Sequence, residues 1–175
     1  MLRKWVAGML AAMMLCGNIA YAYDHRQEDA DLREKIEEWC EFYGVPVLLV
    51  CAVIDRESGW DADAVNAAGS CYGLMQINEV NFCYLERELG LSDLTDPYQN
   101  VQAGIYMLAG YIDRYLDYHM ALMCYNCGEA GARKRWAQGQ YESEYSCWVM
   151  ERMHDLEWEA LCAARERLRG DSSDE

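Results

Sequence analysis

A mainly α-helical single domain, with at most a short β piece near residues 70–78, is what the sequence predicts. Three observations carry this. Apolar residues recur at helical spacing over most of the chain. Glycines and an Asp-Pro pair fall between those segments, where helices stop and start. Only two prolines occur and no Gly/Ser linker divides the 175 residues, a length that suits one domain with its own core.

Taken in order, the first 22 residues read as a secretory signal rather than as part of the fold. Arg3 and Lys4 give a basic start, and Trp5 to Cys16 is an apolar run of 12 residues, short for a bilayer span. Ala20-Tyr21-Ala22 supplies the small residues a signal peptidase needs. Met13-Met14-Leu15 is bulkier than a lipid-modification site before Cys16 would be. The expected mature domain is 23–169, exported to the periplasm, cell wall or extracellular space. A helix is expected over 31–42, with Leu32, Ile36, Trp39 and Phe42 or Tyr43 on one face and Gly44 as its end. Pro46 suits the first turn of a second helix, which runs to about Ser58 and stops at Gly59. A small-residue loop covers 61–73, a short extended piece 72–77, and Asn78 or Asn81 opens a helix ending near Gly90.

Asp96-Pro97 starts the next helix, a capping side chain followed by proline at the first position. Its apolar face is Val101, Ile105, Leu108, Ile112 and Leu116, and it runs to about Asp117. A short helix over 120–126 is expected to stop at Gly128. The last helix, 143–168, has a stripe of Cys147, Trp148, Met150, Met153, Leu156, Leu161 and Cys162. The acidic tail 170–175 is expected to be disordered.

Charge and cysteine content narrow the function. Removing Arg3 and Lys4 takes the net charge from −15 to −17. Such a chain repels phosphate backbones, which excludes nucleic acid as the ligand. Loss of Cys16 leaves eight of the nine cysteines, an even number that in an exported chain suggests disulfides of undetermined pairing. Cys51 and Cys71 also read as plain buried thiols. Cys124 and Cys127 form a CxxC, but no second CxxC exists and His25, His119 and His154 show no ligand spacing, so no metal and no cofactor is expected.

The chemistry centres on Val53-Ile54-Asp55-Arg56-Glu57-Ser58-Gly59-Trp60. On a helix, Val50, Val53, Ile54 and Glu57 share one face, so Glu57 continues an apolar stripe while Asp55 and Arg56 point elsewhere. Burial raises a carboxyl pKa, and so does the partial negative charge at a helix C-terminus. Both favour the protonated form that a general acid needs. Alone, a Glu at a helix end reads equally as an ion-pair member or a cap.

Three further blocks remove that ambiguity. Val53 to Ile77 holds Glu57-Ser58, a small-residue loop, then Gly73-Leu74-Met75-Gln76. Residues 96–108 follow as Asp-Pro-Tyr-Gln-Asn-Val-Gln-Ala-Gly-Ile-Tyr-Met-Leu, and 121–128 as Ala-Leu-Met-Cys-Tyr-Asn-Cys-Gly. Together these resemble, in order, the catalytic stretch, the Asn-aliphatic-x-x-Gly helix and the Ala-Tyr-Asn-x-Gly motif of the soluble lytic transglycosylase family, which is related in fold to goose-type lysozyme. Residues 145–153 resemble its terminal helix, and the likeness covers roughly 33–155. Departures are Cys124 and Cys127, where small residues are usual, and Cys71, which takes the place of an alanine.

The resemblance implies a lysozyme-like helical fold and a peptidoglycan glycan strand as substrate. It implies cleavage of the MurNAc-GlcNAc β-1,4 bond with 1,6-anhydro ends. Glu57 would be the single catalytic acid and base. Ser58, Gly73, Leu74, Met75, Gln76, Tyr125 and Asn126 would bind substrate, with Tyr125 near the Glu57 carboxyl group. Asn100 and Gly104 would be structural. Glycosidases ordinarily use two carboxylates, but Asp55 points away on the helix and Asp61 and Asp63 fall in a solvated loop. A transglycosylase manages with one, because the 6-hydroxyl of the same sugar attacks and no water needs activating. Two alternatives stand beside this reading: a hydrolysing muramidase, and a non-catalytic wall-binding component of an envelope machine. A monomer that works with a secretion, conjugation or wall-remodelling complex is the expected assembly.

Overall fold

The computed structural model describes residues 30–68 and 70–170. The expected signal segment 1–22 and residues 171–175 of the expected tail lie outside them. The elements are α1 (Ala30–Tyr43), α2 (Val47–Glu57), β1 (Cys71–Tyr72), β2 (Ile77–Asn78), a 3₁₀ turn (Glu79–Asn81), α3 (Phe82–Leu89), α4 (Pro97–Tyr115), α5 (Tyr118–Trp136) and α6 (Glu144–Gly170). Helix bundling around α2 makes the core, and two short strands, with an isolated antiparallel bridge from Val65 to Tyr72, make up the β content of the described residues.

α2 is central because its sequence leaves it no solvent face: Leu48 to Ile54 are all buried. A fully buried Leu, Ile or Val contributes roughly 1.5–3 kcal/mol. Several of them outweigh the cost of ending the helix on a carboxylate. Pro46 caps this helix instead of occupying its first turn; its carbonyl accepts from Leu49 N at 3.0 Å and Val50 N at 3.2 Å. At the other end Ser58 N and Gly59 N both donate to Ile54 O at 3.1 Å, and Gly59 takes φ +60°, the left-handed stop that glycine supplies.

β1 and β2 pair antiparallel, with Cys71 opposite Asn78 and Tyr72 opposite Ile77. The intervening Gly73–Gln76 segment is a tight turn seated on α4. Asn100, fully buried, holds it: Oδ1 accepts from Met75 N at 2.8 Å, while Nδ2 donates to Tyr72 O at 2.7 Å and Leu94 O at 2.8 Å. Gly73 (φ +71°) has no room for a side chain, since a Cβ there would sit 2.6 Å from Asn100 Nδ2. A Cβ on Gly104 would collide with the Met75 thioether. Both Asn100 and Gly104 are structural, as expected.

Three helices differ in part from expectation. α4 ends at Tyr115, and Leu116 turns left-handed (φ 53°) at the C-terminus, 87% exposed instead of joining the buried face. In α5 the first helical segment stops at Gly128, as expected, and a second segment that was not expected follows it. The backbone kinks there (φ 71°, ψ 155°) and resumes to Trp136, because Ala132 packs with Met123 and Cys124 in a small second core and Trp136 sits edge-on to Tyr115 at 4.8 Å. In α6 the buried stripe is Tyr145, Val149, Leu156, Ala160 and Ala163, whereas Leu161 and Cys162 are exposed. Leu156 of the expected stripe is buried and Trp148, Met150 and Met153 pack partly buried against the core, while Ala160 and Ala163 take the inward positions in place of Leu161 and Cys162. Gly170, assigned to the tail, closes α6.

Candidate active site

The end of α2, the β-hairpin, α4 and α5 enclose a cleft of about 650 Å³. Glu57 reaches its floor from the last turn of α2, and among the described residues it is the one carboxylate lining it. Its Oε1 accepts a 2.6 Å bond from the hydroxyl of Tyr145, a residue of the first turn of α6. Burial raises the Glu57 pKa above the ordinary carboxylate value; the Tyr145 bond and the Arg56 charge pull the other way without cancelling it. Tyr145 is only 7% exposed, and burial together with the Glu57 charge pushes its own pKa far up, so it stays a neutral donor.

Gln76, Tyr125 and Asn126 line the cleft with Glu57. Gln76 takes φ 48°, and its side-chain amide donates to Ala64 O and Gly73 O at 3.0 Å each, so it ties the loop to the turn. Tyr125 donates to Met75 O at 2.8 Å. Its partner is therefore the hairpin turn, and the phenol bonded to Glu57 belongs to Tyr145. Ser58 stands behind the wall: its hydroxyl donates to Leu74 O at 2.9 Å and accepts from Trp60 N at 3.1 Å, joining the end of α2 to the turn. Leu74 and Met75 are buried at 1% and 0% exposure, and Gly73 packs on Asn100. These four shape the cleft from behind.

Asp55 faces α6, away from the cleft, in an ion pair with Arg152 at 2.6 Å. Asp61 Oδ1 accepts from Asp63 N at 3.0 Å in the exposed loop. Trp60 donates its indole N–H to Asp55 at 2.8 Å, on the far side of α2 from the cleft, so it is not a sugar platform there. Tyr72 lies in a neighbouring depression between the hairpin and residues 92–95.

Sequence reasoning missed Tyr145, Asn66, Asn78, Met107 and Tyr111. The last four line the cleft, but nothing in their spacing marks them. Tyr145 had a signal: it shares helical spacing with Val149 and Leu156, and a buried phenol requires a partner.

The eight cysteines of the expected mature chain carry free thiols, so the even count does not translate into disulfides here. Cys40, Cys51 and Cys124 are buried as small apolar groups, and burial pushes the Cys40 thiol to about 12 and the Cys124 thiol to about 11. In the CxxC, Cys127 donates back to Met123 O at 3.1 Å along its own helix. Among the described residues no group of three or more His, Cys, Asp or Glu side chains is placed to hold a metal ion.

The family model described as the transglycosylase SLT domain matches residues 34–149. The chain is 31% identical over 86 residues to a transglycosylase of Enterobacteria phage PRD1, covering 49% of this chain and 31% of that protein. It is also 31% identical over 101 residues to protein IpgF of Shigella flexneri, covering 54% and 66%. Among solved structures it resembles the lytic transglycosylase Slt of Pseudomonas aeruginosa at TM-score 0.56 and 18% identity, over 78% of this chain and 24% of that one. The 70 kDa soluble lytic transglycosylase of Escherichia coli gives TM-score 0.55 and 17% identity, over 75% and 23%. The chain thus spans a third to two thirds of those two curated relatives and about a quarter of each solved structure.

Proposed function

The chain belongs to the transglycosylase SLT domain family, and on that premise we propose that it cleaves the MurNAc-GlcNAc β-1,4 bond of peptidoglycan, with Glu57 as acid and then base, and leaves 1,6-anhydro ends. The observation that carries this reading is the isolation of Glu57: one half-buried carboxyl with a raised pKa, on a cleft floor that no second carboxylate lines among the described residues.

Protonated Glu57 gives its proton to the glycosidic oxygen as the C1–O bond breaks. The leaving sugar departs as an alcohol, and the positive charge on the remaining ring is met by the Glu57 carboxylate. The 6-hydroxyl of the same sugar then bonds to C1, and its proton returns to Glu57. Atoms and protons balance without water, and the attack is intramolecular, so proximity supplies much of the rate. Tyr145 donates to Oε1, which leaves the other oxygen to carry the transferred proton. Gln76, Tyr125 and Asn126 hold the sugars along the walls, while Ser58, Gly73, Leu74 and Met75 keep the turn in place. Export by the segment 1–22 would bring the monomer to its substrate, and an envelope-spanning complex would direct it there.

Purified peptidoglycan sacculi test the reading. Wild type is expected to release muropeptides with anhydro ends, and Glu57→Gln to lose at least about 100-fold in rate, the scale of a general acid's contribution. Equal rates for the two proteins, or products with hydrated reducing ends alone, overturn it.

A further inference from the structure

Three consecutive residues of α2 meet three successive turns of α6. Glu57 accepts from Tyr145 at 2.6 Å, the Arg56 guanidinium lies 5.2 Å from the centroid of the Trp148 ring, and Asp55 pairs with Arg152 at 2.6 Å. Positions 145, 148 and 152 are spaced by three and four residues, so they lie along one side of α6. Positions 55 and 57 are two apart on α2 and point in different directions. Contacts to α6 from both of them fix how α2 is rolled about its own axis.

The Asp55–Arg152 pair is built to hold. The two side chains are 7% and 13% exposed. Trp60 Nε1 donates to the other Asp55 oxygen at 2.8 Å, although Trp60 must adopt φ 72°, a region that disfavours bulky residues. Arg152 Nη1 also donates to Glu159 at 3.0 Å. A guanidinium held by two carboxylates has a fixed plane, which lysine would not reproduce.

We infer that Asp55 and Arg152 are positioning residues for Glu57: their buried pair sets the roll of α2 on α6 that brings the Tyr145 hydroxyl to Oε1 and leaves the second oxygen facing the cleft. This rests on the reading of Glu57 as the acid. The titratable and charged groups around Glu57 are Arg56, Tyr145, Tyr125, Tyr111 and the thiols of Cys71, Cys124 and Cys127. Of these, the Tyr145 bond is the one the clamp governs. Since that bond holds the Glu57 pKa down, losing the clamp raises it further. The basic limb of the cleavage profile, set by loss of the acid's proton, then moves to higher pH.

The experiment compares Arg152→Met, Arg152→Lys, Tyr145→Phe and the double variant Arg152→Met/Tyr145→Phe. It reads the Glu57 carboxyl titration by NMR with labelled glutamate, and the pH profile of sacculus cleavage. Arg152→Met is expected to raise the Glu57 midpoint by about as much as Tyr145→Phe, and the double variant to add nothing to Tyr145→Phe alone. The basic limb should follow, with kcat reduced several-fold and KM within about twofold, and Arg152→Lys should recover part of the loss. A wild-type midpoint in Arg152→Met, or additive shifts in the double variant, overturns the inference, because a merely structural pair would lower Tm without moving that midpoint. Should Arg152→Met not fold, Asp55→Asn, which keeps its size and an acceptor for Trp60, is read by the same criteria. If wild type cleaves nothing, the acid reading fails on its own while the carboxyl titration still decides the clamp.

Discussion

Asp55 and Glu57 are two carboxylates two residues apart in the last turn of one helix, both largely buried and both held by α6, yet their surroundings differ in kind. Asp55 meets a guanidinium and an indole N–H, so its charge is answered on the spot. Glu57 meets a neutral phenol and the wall of a cleft. The partial negative charge at the helix end acts on both and so cannot be what separates them. What separates them is the partner, a cation for one and a phenol for the other. A buried acid near neutral pH becomes chemically useful when the fold withholds the cation that would make it a plain ion pair.

The largest effect expected from breaking this contrast is at Asp55. Asp55→Ala leaves Arg152 buried beside Glu159 alone and removes the acceptor of Trp60 Nε1. Removing one member of a buried pair typically costs about 3–5 kcal/mol. Urea unfolding at pH 7 should show a loss of that size, and a loss below about 1 kcal/mol would mean that the pair is solvated and the contrast with Glu57 is false.

Glu57→Gln should move stability the other way. The folded pKa of Glu57 is raised, so between the unfolded and folded values the native state binds more protons than the unfolded chain. Wild-type stability is therefore fullest below the unfolded value, about 4.3, and falls as pH rises toward the folded one, by about 1.4 kcal/mol for each unit of elevation. Glutamine carries no such penalty. Parallel unfolding curves should show Glu57→Gln more stable than wild type at pH 7, with the difference closing near pH 4. A variant that is equally stable at both pH values would place Glu57 in an ordinary solvated site.

How far these roles could be read beforehand depended on whether the signal was local. Glu57 on the stripe of Val50, Val53 and Ile54, the stop at Gly59, and the Asp96-Pro97 start are all set by neighbours within one helical turn, and all stand as expected. That Asp55 turns away from the Glu57 face followed from helix geometry, but its attachment to Arg152, 97 residues away, did not. Tyr145 lies 88 residues from Glu57 and had no local signature beyond its spacing. Gly128 stops the first segment of α5 as expected, but the helical segment beyond it did not announce itself, because Ala132 and Trp136 are held by a second core assembled from distant residues. Leu116 fits the apolar spacing of α4 but falls one residue past its end.

The smallest effect separates the two tyrosines, and with them the two ways a phenol serves this cleft. Tyr125 was expected near the Glu57 carboxyl, and it does share the cleft, but its hydroxyl is bonded to Met75 O. Tyr125→Phe therefore leaves a backbone carbonyl of the turn without that donor, a loss of about 1 kcal/mol. Glu57 keeps both influences that hold its pKa down, the Tyr145 bond and the Arg56 charge, so its carboxyl midpoint should stay where it is in wild type. Tyr145→Phe should raise that midpoint while leaving the hairpin intact. If Tyr125→Phe moves the Glu57 titration as far as Tyr145→Phe does, the acid is tuned by the cleft as a whole. If only Tyr145→Phe moves it, the tuning comes from α6, the same helix that grips Asp55.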